Sequence, residues 1–372
     1  MFYRDTWAEI NLDALRHNCR EIQKLTNKKM IAVLKANAYG HCDYWVAKTA
    51  MEEGAAMVAV AYLDEALSLR KQGFTSDILV LGHIRAADIP LAQTHRITLT
   101  VLSLNWLNEC LACHDDLSHL KFHLKVDSGM NRIGMKTSDE MNNAIALIMQ
   151  HNGIVEGIYT HYACADEDDL NYCEMQYHTF KALVDRLTIK PKWIHCENSA
   201  AILQFPDELT NAVRAGLILY GVSPISTSVD FQPVLSLFSK ITCVKQIHAG
   251  ECVGYGATYT AKGDEWIATL PIGYADGFIR ANQGRSMIVD GEEVEIVGRI
   301  CMDQCMIRLN SCKPLGTPVE IISKQMPVTR VAEELNTISY EILCLLSDRI
   351  PRVIMEKGKQ KAIVNLRLHE TY

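Results

Sequence analysis

The sequence predicts an α/β fold: a (β/α)8 barrel of the TIM type followed by a smaller, mainly β C-terminal domain. Three observations carry that reading. Short β-branched runs alternate with helical stretches about every 25–30 residues through the first two-thirds of the chain, the spacing of parallel strands joined by crossover helices. Several of those runs, Ile31-Ala-Val-Leu34 and Ile78-Leu-Val-Leu81 among them, are apolar throughout, as strands covered on both faces are. Beyond residue 230 the helical stretches nearly vanish and short strands follow one another. At 372 residues, 48% of them hydrophobic and 22% charged, the chain has material for two buried cores.

In chain order, strands are expected at Trp7–Leu12, Met30–Ala36, Met57–Tyr62, Asp77–Gly82, Ile97–Leu102, Lys121–Asp127, Ile154–Tyr162, Trp193–Asn198 and Ala212–Arg214. Helical patterns lie between them at Asp43–Glu53, Leu63–Gly73, Leu104–His114, Asp139–His151 and Asn171–Leu187. Gly54 and Gly73 stand where helices stop, and Ser138-Asp139-Glu140 opens one with acids at its positive end. Nine strands are one more than a closed eight-stranded barrel takes. An open doubly wound sheet would carry a glycine-rich phosphate loop after its first strand, yet Asp13-Ala-Leu-Arg16 there has no glycine. The closed barrel is therefore expected, with the first strand placed elsewhere.

In the second part, strands are expected at Ser239–Val244, Trp266–Leu270, Met287–Val289, Glu293–Val297, Cys305–Leu309 and Val319–Ile322, with one helix at Val328–Leu335. Asp290-Gly291 spells a type I′ hairpin turn. The expected division is 1–230 for the barrel and 231–372 for the β-domain.

Composition excludes several functions. The net charge is −7, from 37 basic and 44 acidic residues, which argues against nucleic acid as a partner. No apolar run approaches the ~18–20 residues of a membrane span. The start, Met1-Phe-Tyr-Arg-Asp5, has no apolar signal-peptide core, so a cytoplasmic protein is expected, its thirteen cysteines serving as reduced, small apolar residues. Cys110-Leu-Ala-Cys113-His114 spells a haem-attachment pattern, but that chemistry belongs to exported proteins and the segment reads as an amphipathic helix. Cys301, Cys305 and Cys312 lack the spacing of a structural zinc site. No metal is expected.

Chemistry in such barrels collects at the C-terminal ends of the strands. Those ends carry Lys35, then Lys125, Asp127 and Arg132, then His161, Asn198 with Ser199, and Arg214 followed by Gly216-Leu217. A lysine closing an apolar strand, among several cations, with small residues where barrels hold phosphate, points to a site for pyridoxal phosphate.

At these residues the chain resembles the alanine racemase family. The likeness begins at Ala32-Val-Leu-Lys35-Ala-Asn-Ala-Tyr39-Gly-His41 and continues at Lys125-Val-Asp-Ser-Gly-Met-Asn-Arg-Ile-Gly134, Tyr159-Thr-His-Tyr-Ala163 and Glu197-Asn-Ser-Ala200. It extends through Gly254-Tyr-Gly-Ala-Thr-Tyr259, Ile272-Gly-Tyr-Ala-Asp-Gly277, Gly298-Arg-Ile-Cys-Met-Asp303 and Ile338-Ser-Tyr-Glu341. Eight motifs in register across the whole chain are specific where one would not be.

The resemblance implies a barrel plus a β-domain, with the first strand, about residues 1–12, joining the latter. It implies pyridoxal 5′-phosphate as cofactor, a Schiff base on Lys35, and racemisation of alanine to supply D-alanine for peptidoglycan. Lys35 is then the base on the face of the D-isomer and Tyr255 the base on the other. A phenol ordinarily titrates near 10, so a neighbouring cation must lower it, and His161 and Arg214 are the neighbours the resemblance implies. Arg214 is implied to face the pyridine nitrogen. Tyr39, Ser199, Gly216, Leu217 and Tyr340 are implied phosphate contacts, with His161 and Asn198 also at the cofactor. Arg132, Met302 and Tyr274 are implied for the substrate, and Lys125 matches a position that is carbamylated in many members.

Gly254 stands where serine is more usual, and Leu217 where isoleucine is. Since Tyr255 and Met302 enter the partner's site in the family, an obligate homodimer with shared active sites is implied. A serine or broad-specificity amino-acid racemase is the nearest alternative, because few residues set pocket size. A decarboxylase on the same fold and a non-enzymatic cofactor carrier are the other rivals.

Overall fold

The computed structural model describes residues 3–368 and the backbone of residues 370 and 371. The chain divides into two compact units. One comprises Arg16–Ala38 and Asp43–Phe231; the other comprises the N-terminal segment to Leu15, Tyr39–Cys42 and the chain from Gln232 onward.

The first strand, β1 (Thr6–Asn11), lies outside the barrel. The closed barrel follows as β2 (Lys29–Val33), β3 (Met57–Val60), β4 (Ile78–Val80), β5 (Thr98–Val101), β6 (Lys121–Lys125), β7 (Ile154–Tyr159), β8 (Trp193–His195) and β9 (Ala212–Ala215). Each strand runs parallel to the next, and β9 closes on β2 with Arg214 opposite Ile31. Every residue of β3, β4, β5 and β9 is buried, which is why β3 and β4 read as unbroken apolar runs.

Helices cross between the strands at Asp43–Glu52, Leu63–Lys71, Ile89–Thr94, Leu104–Cys113, Ser138–Gln150, Asn171–Val184 and Ser199–Gln204. Local capping starts several of them. Ser103 accepts from the Trp106 amide, while Thr137 and Glu140 form a reciprocal box at the head of Ser138–Gln150. The haem-like cysteines sit on the helix Leu104–Cys113, with Cys110 buried in the core.

Most strands end two or three residues earlier than the sequence suggested. The apolar character continues past each strand because the loops at this rim are themselves buried: Leu34, Val126, Cys196 and Glu197 are all nearly inaccessible.

The second unit is built on an eleven-stranded sheet in the order β11-β14-β17-β16-β15-β18-β10-β1-β19-β20-β21. Its strands are β10 (Leu235–Lys240), β11 (Cys243–Ile247), β14 (Glu265–Leu270), β15 (Ser286–Val289), β16 (Glu292–Val297), β17 (Cys305–Leu309), β18 (Pro318–Ile322), β19 (Arg352–Glu356), β20 (Lys359–Asn365) and β21 (Glu370–Thr371), with β1 between β10 and β19. A separate pair, β12 (Cys252–Val253) and β13 (Tyr259–Thr260), brackets Tyr255.

Here the sequence reading needs correction. The single strand expected at Ser239–Val244 is two strands, because the chain leaves β10 at Ile241-Thr242 to pair β11 with β14; no glycine or proline marks the break. Two helices follow, Val328–Glu334 and Ser339–Leu345, where one was expected. The hairpin at Asp290-Gly291 is as expected, with φ of +50° and +82°. Lys357-Gly358 makes the equivalent turn between β19 and β20, at φ of +52° and +70°.

Candidate active site

The barrel interior is polar where such barrels are commonly filled with aliphatic layers. On β6 the inward positions are His123 and Lys125, both buried; Phe122 and Leu124 alternate with them. Tyr159 ends β7, His195 ends β8 and Arg214 lies on β9, all buried. The rings of Tyr159 and His195 stack at 4.8 Å with 8° between their planes, and the guanidinium of Arg214 lies 5.2 Å from the centre of the Tyr159 ring.

Arg214 is the hub. Its Nη1 donates to Nδ1 and to the carbonyl of His195, at 2.9 and 3.1 Å. Its Nη2 donates to the carbonyls of Thr160 and Cys196, both at 2.8 Å, and to Nδ1 of His161 at 2.9 Å. These partners take up both terminal nitrogens. Nε–H is then the one donor of this guanidinium without a protein acceptor among the described residues.

His161 is held neutral. Burial pushes its pKa well below the ordinary value, and the charges of Arg214, Arg132, Lys125 and Lys35 push it further. Of the two residues implied as cationic neighbours for a phenol, Arg214 is therefore the charged one. Arg214, Arg132 and Lys35 mark the barrel rim as a site for an anion-bearing ligand.

Lys125 donates to the Val126 carbonyl at 2.6 Å and sits 5.4 Å from the centre of the Tyr159 ring. Burial first, then the nearby Arg214, brings its pKa down to about 7, so a large share of this amine is neutral and nucleophilic near neutral pH. Asp127 beside it accepts from the amides of Gly129 and Asn131, shaping the loop that carries Arg132.

At the last two strands, Asn198 caps the helix Ser199–Gln204 by accepting from the Ala201 amide at 3.0 Å. Ser199 Oγ accepts from the amides of Gly216 and Ile218, at 3.2 and 3.4 Å. That one hydroxyl ties Ser199 to Gly216-Leu217, the three residues grouped from sequence, and keeps its own proton free to donate.

Lys35 follows β2 after Leu34, and the backbone then makes a left-handed turn. Ala36, Asn37, Ala38 and Tyr39 all have φ between +53° and +54°, with Gly40 at +79°. Each non-glycine residue in that conformation costs about 1–2 kcal/mol, so the surroundings must hold it. Glu65 Oε1 accepts from the Ala36 amide at 2.6 Å, Ala38 donates back to the Leu34 carbonyl at 2.7 Å, and Asn37 Oδ1 accepts from the Asp43 amide at 2.9 Å.

The remaining sequence-derived candidates belong to the other unit. Tyr39 is buried with its ring 5.8 Å from that of Tyr340, which lies on the helix Ser339–Leu345. A β-carbon on Gly40 would meet the Leu343 carbonyl at 2.4 Å, and buried Arg352 donates to the Gly40 carbonyl at 3.0 Å. Tyr274 and Ala275 donate their amides to the carbonyls of Cys301 and Met302, at 3.0 and 3.1 Å, so those two loops are one assembly.

Tyr255 lies just after Gly254, whose φ is +73°, and is 72% exposed; Met302 is 53% exposed. A β-carbon on Gly256 would meet the Arg299 guanidinium at 2.8 Å. The paired glycines thus answer to Met306 and Arg299 packed beneath the turn.

Sequence reasoning did not single out His123, His195, Tyr159 or Gly157. The available signal was the alternation Phe122-His123-Leu124-Lys125, two polar residues at inward spacing on a central strand. A β-carbon on Gly157 would lie 2.5 Å from Nδ1 and Cε1 of His123, so this glycine is the space the imidazole fills.

Comparison with known proteins places these residues in context. Residues 10–224 match the family model described as alanine racemase, N-terminal domain, and residues 234–354 match that for the C-terminal domain. An alanine racemase of Anoxybacillus flavithermus is 47% identical, the match covering 98% of each chain. The crystal structure of an alanine racemase from Bacillus anthracis with bound L-Ala-P superposes with a TM-score of 0.95 at 41% identity, over 100% of both chains. A histidine racemase from Leuconostoc mesenteroides subsp. sake is also similar, with a TM-score of 0.89 at 31% identity over 96% of this chain and 99% of that one.

Proposed function

The chain belongs to the alanine racemase family, and from that premise we propose that it interconverts L- and D-alanine by a two-base exchange of the α-proton, supplying D-alanine for peptidoglycan. The observation that carries the reading is the donor pattern of Arg214, which presents Nε–H alone to an occupant of the barrel rim. A guanidinium can only donate. It fits the ring nitrogen of pyridoxal 5′-phosphate, the cofactor family membership implies, and Arg132, one of the cations that act on His161, fits the substrate carboxylate.

When bound, the cofactor would supply a carbonyl carbon that exchanges Lys35 for the substrate amine and a ring that could spread the charge left at Cα. The protein's part is to hold, aim and move protons. Lys35 anchors the cofactor; once substrate has displaced it, its amine works on the face from which the D-isomer loses its proton. Tyr255 serves the opposite face. Arg214, always protonated, leaves the ring nitrogen without a proton of its own. With the cofactor bound, this would keep charge nearer Cα and favour return of the proton there over a side reaction.

We assign the phosphate to Ser199, Gly216, Leu217, Tyr39 and Tyr340, with His161 and Asn198 also lining the cofactor. Arg132, Met302 and Tyr274 hold the substrate, and a carbamate on Lys125 steadies Arg132. The lowered pKa of Lys125 supports that modification, since only the neutral amine attacks carbon dioxide. The exposure of Tyr255 and Met302 supports their use in the site of a second copy, and we infer an obligate homodimer. The thirteen cysteines, read as reduced thiols, fit a cytoplasmic location, and among the described residues no helix is long and apolar enough to cross a membrane.

The test is D-alanine formation from L-alanine by the purified protein, beside D-serine formation from L-serine. Faster turnover of alanine supports the proposal. Faster turnover of serine favours the broad-specificity alternative, which the histidine racemase's shared fold keeps in view. Carbon dioxide release would favour a decarboxylase, and no turnover at all a cofactor carrier.

A further inference from the structure

Below the rim, four polar side chains run in line through the barrel interior. Arg214 Nη1 donates to His195 Nδ1 at 2.9 Å, His195 Nε2 lies 2.9 Å from His123 Nδ1, and His123 Nε2 faces Glu156 Oε2 across 3.9 Å. None of the four is more than 7% exposed. The chain admits one arrangement of protons. Because the guanidinium only donates, Nδ1 of His195 is bare and its proton sits on Nε2. That proton goes to Nδ1 of His123, whose own proton then sits on Nε2, aimed at Glu156. His123 Nε2 and Glu156 Oε2 have no other hydrogen-bond partner, so each is the natural partner of the other.

The far end is built to stay anionic. Burial alone would raise the Glu156 carboxyl, but His123 and Lys121 outweigh it and hold the pKa at about 2. Lys121 and Lys192 stand 3.2 and 3.7 Å from its other oxygen, and Lys121 is shared with Asp77 at 3.0 Å. Burial keeps both histidines below their ordinary pKa. Glu156 occupies the extra position where the β6–β7 register slips between Phe122 and His123, and Gly157 next to it leaves room for the His123 ring.

We propose that Glu156 and His123 are positioning residues for Arg214: the carboxylate, 3.9 Å away, orients the His123 proton, and the hydrogen bonds between His123 and His195 and between His195 and Arg214 hold the guanidinium. The proposal rests on the reading of Arg214 as the donor to the cofactor ring and deepens it. Without the carboxylate, His123 is free to carry its proton on Nδ1, where it can no longer accept from His195. The His195 imidazole then loses its fixed tautomer, and Arg214 loses a fixed acceptor.

Nitrogen-15 labelling of histidine reads the chain directly, with or without cofactor. In the wild type, Nδ1 of both His123 and His195 is expected to resonate as a bare nitrogen and Nε2 as a protonated one. Glu156→Met is expected to mix the tautomers of His123 and slow racemisation by about 10- to 100-fold, the loss a misplaced group produces. Glu156→Gln keeps an acceptor oxygen and is expected to restore the wild-type tautomers and most of the rate. A proton on Nδ1 of either histidine in the wild type overturns the proposal, as does a Glu156→Met protein with unchanged tautomers and rate. If the wild-type tautomers hold and the Glu156 variants behave as expected while Arg214→Lys racemises normally, the reading of Arg214 fails and the hydrogen-bond chain stands.

Discussion

Nη2 of Arg214 donates to Nδ1 of His161 across 2.9 Å, so the histidine accepts on Nδ1 and carries its proton on Nε2. Both residues are thereby fixed as donors towards the rim. Arg214→Lys removes the planar fork and leaves acceptors on His195, His161, Thr160 and Cys196 to a single ammonium. Racemisation is expected to fall by about 10²-fold or more, with a lower Tm. Steady-state rates beside a thermal melt check both, and an unchanged rate would count against Arg214 as a cofactor contact.

Gly157 and His123 make a second paired constraint. In Gly157→Ala the new methyl meets the imidazole at 2.5 Å, inside a closed barrel with nowhere for the ring to go. A loss of about 1–3 kcal/mol is expected, the usual penalty of overpacking. Urea unfolding of the variant measures it, and wild-type stability would show that the barrel yields at this level.

Much of this was readable in advance, for physical reasons. Lys35 stands out because a charge directly after Met30–Leu34 has few innocent explanations. Tyr255, Tyr274 and Met302 stand out only through family likeness, since nothing in a glycine-flanked tyrosine specifies a base. His195 and Glu156 were hidden by geometry. Which residues of a strand face the barrel interior depends on register, and the slip at Glu156 reverses the alternation along β7. The break at Ile241-Thr242 was hidden because both flanks are good strand sequence.

In protein prepared free of carbon dioxide, where its amine is unmodified, Lys125 makes stability depend on pH. Its pKa falls from the ordinary 10.5 to about 7 on folding, so between those values the unfolded chain binds a proton that the folded chain does not. Unfolding then takes up a proton, and this residue's contribution to stability rises with pH across that window. Chemical denaturation of wild type and Lys125→Met across the same range should show the wild type gaining on the variant as pH climbs. Parallel curves would contradict the assignment.

Gly40 links the left-handed turn to the helix bearing Tyr340. Gly40→Ala forces a β-carbon to within 2.4 Å of the Leu343 carbonyl at a φ of +79°. A shift that separates Tyr39 from Tyr340 is expected to weaken cofactor binding by about tenfold, in line with about 1–3 kcal/mol for such strain. Absorbance titration of the apoprotein with pyridoxal 5′-phosphate measures this, and an unchanged affinity would remove the two tyrosines from the phosphate site.

The central claim is that one base serves each face of the substrate, Lys35 for the D-isomer and Tyr255 for the L-isomer. Its most direct test is exchange of the α-proton in deuterated water, followed by proton NMR from each enantiomer separately. Tyr255→Phe is expected to lose racemisation and the exchange of L-alanine while D-alanine still exchanges. A variant that exchanges both enantiomers at the wild-type rate would contradict the two-base account.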